Sequence, residues 1–490
     1  VFNKILIANR GEIAVRIART CREMGIPTVA LYEAADETSL HIRLADECVL
    51  LQTPRGFNDM DAVLQIARDK GADAIHPGYG FLAENIEFIQ RCQDAGCTFI
   101  GPPYATVAQA LSKIETLDAA RAAGIPTVIA SGAFLDDHAL PALRAEAERL
   151  GFPVVVKSCR GGRGRGERVI YSAETLEPTV RRAQAEAQAV YGDRHVFIEK
   201  AILPAHQIGV QILADQFGKL VHLGEREGSM LQGNRKVIEE SPAPCLDDAA
   251  RTQLWDAALT LARLFALRGL VTIEFLIDAR GAFYFTEIKP RITTDHPLTE
   301  MRTRLDLVRE QIRVAAGEPL SFAQRAVRLD GCAMLCRLTA QDPQQNFMPS
   351  PGRVRVRFPN GPETRMDTYV YTGCVAPETY DALIAKLTVW DATRAACYAR
   401  LLRALHGLSF GGIVTNASWI EKFAQQPDFA RGAYSTASAP TPPRETDALT
   451  LRDFAVAAAL LYARAQTTAQ PTIPPRVMSQ WHRAARALPE

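Results

Sequence analysis

Lys157-Ser158-Cys159-Arg160-Gly161-Gly162-Arg163-Gly164-Arg165-Gly166 is the stretch whose reading decides the fold. A β-branched run, Val154-Val155-Val156, leads into it, and Val169-Ile170 leads out. Strand, glycine-rich turn, strand is the pattern of a flap. Glycines there let backbone N–H groups lie against phosphate oxygens, and Lys157 with the arginines adds positive charge. No Gly-Lys-Ser/Thr opens a helix, so the P-loop pattern is excluded. The glycines do not end a strand and begin a helix, so the dinucleotide fingerprint is excluded too. Taken alone, the stretch is either a nucleotide-phosphate lid or a flexible arginine-rich hairpin.

Upstream, Lys4–Ala8 is a short continuous apolar run, as expected of a buried parallel strand. Helical spacing over Ile13–Met24 and strands at Thr28–Tyr32, Glu47–Leu51, Asp73–His76 and Thr98–Ile100 predict an open doubly wound α/β layer over about 110 residues. The loop His76–Asn85 follows a strand's carboxyl end, where such layers place ligands. Gly101-Pro102-Pro103 reads as a structural turn. Helices over Leu140–Leu150 and Ala173–Tyr191, the flap, and a strand over Val196–Lys200 make a small α+β unit suited to be a lid.

Downstream, paired strands are expected at Gln207–Ala214 with Leu220–Glu225, and at Leu270–Ile277 with Ala282–Ile288 across the turn Asp278-Ala279-Arg280-Gly281. In the second pair Glu274 and Glu287 fall on one face. Two carboxylates facing a cavity beside a phosphate flap suit a magnesium-nucleotide site. The alternative, two solvated strand residues, is weakened by apolar neighbours Ile273, Phe275, Phe285 and Ile288. Asn234–Glu240, which holds Lys236, reads as a charged segment beside a core strand. Further strands are expected at Arg353–Phe358 and Thr368–Tyr371. Ser435–Glu445 has linker composition, and Leu449–Gln466 and Val477–Leu488 read as tail helices.

The chain of 490 residues is long enough for roughly three domains. Its 56 basic residues nearly balance 55 acidic ones, which argues against a nucleic-acid binder. Ten cysteines without C-x-x-C pairs indicate neither a disulfide framework nor a zinc site. No apolar run is long enough to span a membrane, and a cytoplasmic protein is expected.

The ordered motifs resemble the biotin carboxylase component of biotin-dependent acetyl- and acyl-CoA carboxylases, in the ATP-grasp superfamily. The resemblance covers about residues 2–438. It is carried by Lys4–Ala14, His76–Asn85, the glycine flap, Glu239–Pro244, Asp295–Met301, Pro349–Gly352 and Tyr380–Leu387. It implies an α/β fold: a pre-ATP-grasp (Rossmann-like) domain over 1–112, an ATP-grasp domain over 113–330 with its B lid at about 130–203, a C-terminal α+β domain over 331–438, and a linker with helical tail over 439–490. It implies carboxylation of biotin at the expense of ATP and bicarbonate. By motif, Lys113 and Lys157 would hold ATP phosphates with Gly161, Gly162, Gly164 and Gly166, and Glu199 and Lys200 would frame the adenine. Glu274 and Glu287 would ligate magnesium or manganese. Lys236 and Arg291 would bind bicarbonate and the biotin ureido region, and Asp295 falls where the family places its catalytic base. A Met-Lys-Met biotinylation motif does not occur in the sequence, so the implied partners are a biotin carboxyl carrier protein on another chain and carboxyltransferase subunits. A homodimer, or a heteromer with a homologous subunit, is also implied.

This chain departs from the family pattern where the chemistry would lie. Arg160 and Arg163 interrupt the flap, and Glu167 replaces a Met. Gln207, Leu231 and Asn234 stand at nucleotide-contact positions, and Leu335 replaces a Glu. The metal motif Glu-Met-Asn-x-Arg reads Glu287-Ile288-Lys289-Pro290-Arg291, and Gln-Val-Glu-His-Pro reads Thr293-Thr294-Asp295-His296-Pro297. A further arginine expected near phosphate and biotin is ambiguous among Arg353, Arg355 and Arg357. Two functional expectations follow: an active carboxylase subunit, or a catalytically impaired paralogue with a structural or regulatory role.

Overall fold

The structure, a computed structural model, describes residues 1–134, 140–159, 168–438 and 456–460. Two compact units divide at Thr441. Of the second, only the helical turn 456–460 is described. The flap residues Arg160 to Glu167, with Gly161, Gly162, Gly164 and Gly166, lie outside the described residues, as does most of the expected tail.

The first unit begins with an all-parallel sheet in the order Glu47–Leu50, Thr28–Tyr32, Ile5–Ile7, Ala74–His76, Thr98–Phe99. Ile5, Leu6 and Ile7 are all inaccessible to solvent, as a continuous apolar run in a sheet covered on both faces requires. The first helix, Gly11–Glu23, is buried along most of its length, because the C-terminal part of the unit covers its outer side as well. Glu12, in its first turn, pairs with the fully buried Lys386 at 2.9 Å and accepts from the Tyr79 hydroxyl.

The small α+β unit is a three-stranded antiparallel sheet with Val154–Ser158 at its centre, between Arg168–Ile170 and Val196–Lys200. Helices Leu140–Leu150 and Leu176–Tyr191 cover it, and Leu143, Val154, Val156, Val180 and Ile198 form its own core. Strands and helices lie here as their residue patterns predict.

The rest is organised on an eight-stranded sheet: Phe283–Lys289, Gly269–Asp278, Ala205–Ala214, Leu220–Gln232, Arg235–Ser241, Cys332–Thr339, Leu383–Asp391, Thr364–Thr368. Three expectations change. The strand read as Leu220–Glu225 runs on to Gln232 through two irregularities in register, and the charged segment around Lys236 is itself a strand. Charge hid it, because its glutamates are buried by ion pairs rather than by apolar partners. Arg353–Phe358 divides into Gly352–Arg353 and Arg355–Arg357, which pair with different partners. Val354 breaks the run by turning fully into the core. The strand placed at Thr368–Tyr371 is Thr364–Thr368. Tyr369 and Val370 are buried by core packing beyond its end, which made them look like strand.

Gly101-Pro102-Pro103 packs as a structural turn: a Cβ on Gly269 would stand 3.2 Å from the Pro102 backbone nitrogen. No described helix is long and apolar enough to cross a membrane.

Candidate active site

The site grows from the register of two strand pairs. Gly269–Asp278 and Phe283–Lys289 pair antiparallel with Glu274 directly opposite Glu287, as the sequence predicts. Both carboxylates are almost wholly buried. Glu287 and Lys289 are two residues apart and share a face, so Lys289 lies diagonal to Glu274. Its ammonium sits 2.8 Å from Glu274 Oε1 and 3.9 Å from Glu287 Oε1. Lys236 approaches Glu274 at 3.7 Å, and Lys113 approaches Glu287 at 3.7 Å. Two buried carboxylates are thus ringed by three lysines. A divalent ion bridging the Oε1 atoms would meet the Lys289 ammonium, and one bridging the Oε2 atoms would face Lys236 and Lys113 at 3.7 Å. The residues present therefore do not fit a metal bridging this pair.

The second strand pair, Leu220–Gln232 with Arg235–Ser241, carries Lys236 and Glu239. Lys236 lies across Gly228, where a Cβ would come within 2.5 Å of the lysine Cδ. Burial pulls the Lys236 ammonium down, but Glu274, Glu239 and Asp295 outweigh it and leave it raised. Lys236 is therefore a charged group in a buried setting.

Asp295 precedes the helix His296–Thr303 and is 3% exposed. Burial alone would raise its carboxyl, but Arg226, then Lys236 and Arg337, hold it well below the usual carboxylate range. Arg226 was not singled out from the sequence. It is 1% exposed and donates to Asp295 at 3.0 Å, Gln211 at 2.8 Å, Thr299 at 2.7 Å, Thr272 at 3.1 Å and Thr293 at 3.2 Å. All five of its N–H groups are engaged, which is what lets a guanidinium sit in a core. No local pattern marks this role, since the partners come from four separate elements.

Arg291 pairs with Glu84 at 2.8 Å. Glu84 ends the His76–Asn85 loop, whose Asn85 side chain caps the next helix by accepting from the Phe88 N–H. Asn9 ties the same loop down by donating to the carbonyls of Pro77 and Tyr79. The expected ligand loop therefore does reach the site, through an ion pair.

A cavity of about 550 Å³ collects Lys236, Arg291 and Asp295 with Lys289, Gln207, Asn234 and Arg337. Lys113, Glu274 and Glu287 join them through the ion pairs above. Lys157 and Glu199 do not line it; they pair with each other at 2.5 Å in the small unit. The Lys200 ammonium donates to the carbonyls of Gly151 at 2.7 Å and Phe152 at 3.1 Å, so its side chain closes that unit's turn. Arg353, Arg355 and Arg357 do not line the cavity, and each is exposed. The arginine that lines the cavity is Arg337, fixed by two bonds to Glu239 at 2.8 and 3.1 Å. It was hidden because it follows the apolar run Cys332–Cys336, which reads as core. Leu335 and Leu231 do not line the cavity either; Leu335 packs with Leu298 and Ala333.

A Rossmann-like parallel sheet, a small antiparallel unit, and a long antiparallel sheet bearing buried lysines and paired carboxylates are the architecture of an ATP-grasp fold. The sequence relatives agree. Residues 1–107 match the family described as biotin carboxylase, N-terminal domain; residues 112–323 match carbamoyl-phosphate synthase L chain, ATP binding domain; residues 335–439 match biotin carboxylase C-terminal domain. The chain is 42% identical over 439 residues to a biotin carboxylase of Nostoc, covering 89% of this chain and 98% of that protein. It is 40% identical over 446 residues to biotin carboxylase 1 of Bacillus subtilis, again covering 89% and 98%. Among solved structures, the biotin carboxylase domain dimer of Hydrogenobacter thermophilus 2-oxoglutarate carboxylase, in complex with MgADP, ADP and bicarbonate, superposes with a TM-score of 0.86 at 36% identity, covering 89% of this chain and 96% of that one. Biotin carboxylase of Campylobacter jejuni in its β,γ-ATP complex gives 0.85 at 36% identity, covering 89% and 98%. The chain belongs to the biotin carboxylase family and is an ATP-dependent ligase of that type.

Proposed function

We propose that this chain is the biotin carboxylase subunit of an acetyl- or acyl-CoA carboxylase, carboxylating biotin presented by a carrier protein on another chain. The observation that carries the reading is the convergence of Lys236, Arg291, Arg337 and Asp295 on one cavity. Three cations around one carboxylate suit a small anion that must be held and deprotonated. In this reading Lys113 and Lys157 meet ATP phosphates, with Gly161, Gly162, Gly164 and Gly166 over them, and the strand Val196–Lys200 offers Glu199 and the Lys200 backbone to the adenine edge. Lys236 and Arg291 orient bicarbonate. Asp295 takes its proton, so that the freed oxygen attacks the γ-phosphorus, ADP leaves, and carboxyphosphate forms. Carboxyphosphate breaks to carbon dioxide and phosphate, the freed phosphate takes the N1′ proton of biotin, and a neighbouring cation stabilises the deprotonated biotin that captures the carbon dioxide. Magnesium or manganese enters this reading as the ion the nucleotide phosphates carry. Carboxyltransferase subunits and a second copy or homologous subunit complete the complex, in the cytoplasm.

The test is bicarbonate-dependent ATP hydrolysis with free biotin and with a biotinylated carrier domain. Turnover that needs all three substrates is the expected result. Folded protein that binds nucleotide but shows no turnover overturns it. That outcome would instead support a second reading, a catalytically impaired subunit, which the Lys289–Glu274 contact favours.

A further inference from the structure

The reading of this cavity as a nucleotide site leaves one group unexplained: Lys289. Its placement follows from strand geometry, not from chance rotamer choice. It stands two residues from Glu287 on the same face and diagonal to Glu274, which puts the pair within reach of its ammonium. At 2.8 Å from Glu274 and 3.9 Å from Glu287 it neutralises charge that a buried carboxylate pair cannot carry alone. A charged lysine offers three donors and no lone pair, so it donates to Glu274 and offsets charge at the pair without being able to ligate a metal. Magnesium demands near-octahedral oxygen ligands, and two lysines besides, Lys236 and Lys113, already stand at 3.7 Å from the same carboxylates. Lys289 and Lys113, with Lys236 shared between Glu274 and Glu239, already set positive charge against the pair where a divalent ion would have to sit.

We propose that Lys289 is a built-in counter-cation that takes the place of a divalent metal ion between Glu274 and Glu287. The nucleotide then enters with the ion its own phosphates carry, and the protein contributes no second metal position. The device rests on the nucleotide-site reading above but makes a separate statement, about the protein without nucleotide as well as with it. The carboxylate pair is organised permanently, where a metal-bridged pair would be organised only when loaded.

The experiment measures manganese binding to the full chain by electron paramagnetic resonance, with and without a non-hydrolysable ATP analogue, for the unaltered protein and for Lys289→Asn. Asparagine removes the ammonium and supplies a neutral amide oxygen. Without nucleotide, the unaltered protein is expected to bind no manganese at the pair, and Lys289→Asn to gain a site at least tenfold tighter than any in the unaltered protein. With the analogue, the variant is expected to hold one more ion per chain than the unaltered protein. Equal manganese stoichiometry and affinity in the two proteins overturns the proposal. Failure of either protein to bind the analogue, measured by calorimetry, overturns the nucleotide-site reading instead and leaves the nucleotide-free comparison decisive. Melting temperature supplies the second readout. In a chelator, Lys289→Asn should melt several degrees lower and recover with manganese, whereas the unaltered protein should not respond. A variant that melts lower but is not restored by manganese also counts against the proposal, because it makes Lys289 a structural ion-pair partner only.

Discussion

Asp295 both anchors a buried guanidinium and lines the cavity. Its carboxylate is the anionic partner of Arg226, a guanidinium with no route to water. Removing that partner leaves a buried charge uncompensated, which typically costs about 3–5 kcal/mol. Asp295→Asn is therefore expected to lower the urea midpoint as well as to reduce ATP turnover by roughly 100-fold or more. The sign with pH follows from the direction of its shift. The folded carboxyl ionises well below its ordinary value of 3.8. Its stabilisation is complete above that value and is lost as pH falls through the lower folded value. The acid limb of the rate profile should accordingly not report Asp295 above about pH 4. The same depression makes it a weak base, so under the proposed function Lys236 and Arg291 would have to acidify the anion. The sequence placed Asp295 in the site by its motif; Arg226, which sets its basicity, has no such mark.

At the scale of elements, the bulged strand Leu220–Gln232 and its partner Arg235–Ser241 decide whether Lys236 is in place. Gly228 sits at the register shift, and the Lys236 stem occupies the space a side chain would fill. A methyl group there would stand 2.5 Å from Lys236 Cδ and 2.9 Å from Glu239 Oε1. Gly228→Ala should be cheap for the fold, because a long flexible side chain can move aside. It should be costly for catalysis, because a misplacement of about 1 Å costs on the order of 100-fold in rate. Steady-state turnover and the melting temperature, measured on the same preparation, should separate these two effects. Charged residues on this pair concealed a strand whose burial depends on partners from other elements.

At the scale of the molecule, the eight-stranded sheet is continuous from Phe283–Lys289 to Thr364–Thr368, and Arg235–Ser241 pairs with Cys332–Thr339 within it. The N-terminal helix is clamped to the far side of the same unit through Glu12 and Lys386. Such burial has a pH signature. His41 and His76 are held neutral by burial, with pKa values lowered from 6.5 to about 4 and about 3. The unfolded chain takes up protons at these positions that the folded chain refuses. Their contribution is therefore complete above pH 6.5 and falls as pH drops toward 4, by up to roughly 1.4 kcal/mol per pH unit for each histidine. Urea midpoints should decline between pH 7 and pH 5, and His41→Gln should flatten part of that slope.

The sequence by itself determined the parallel N-terminal sheet, the strands and helices of the small α+β unit, the Glu274–Glu287 register and the position of Lys289 beside it. Each of these is marked by local periodicity or by the pairing of strands that follow one another along the chain. Only the tertiary structure decided that Arg337 rather than Arg353, Arg355 or Arg357 faces the cavity, that Arg226 holds Asp295, and that Glu84 holds Arg291. Those pairings join residues from about 70 to about 200 positions apart, and buried charge is stabilised by whichever counter-charge the fold brings within reach.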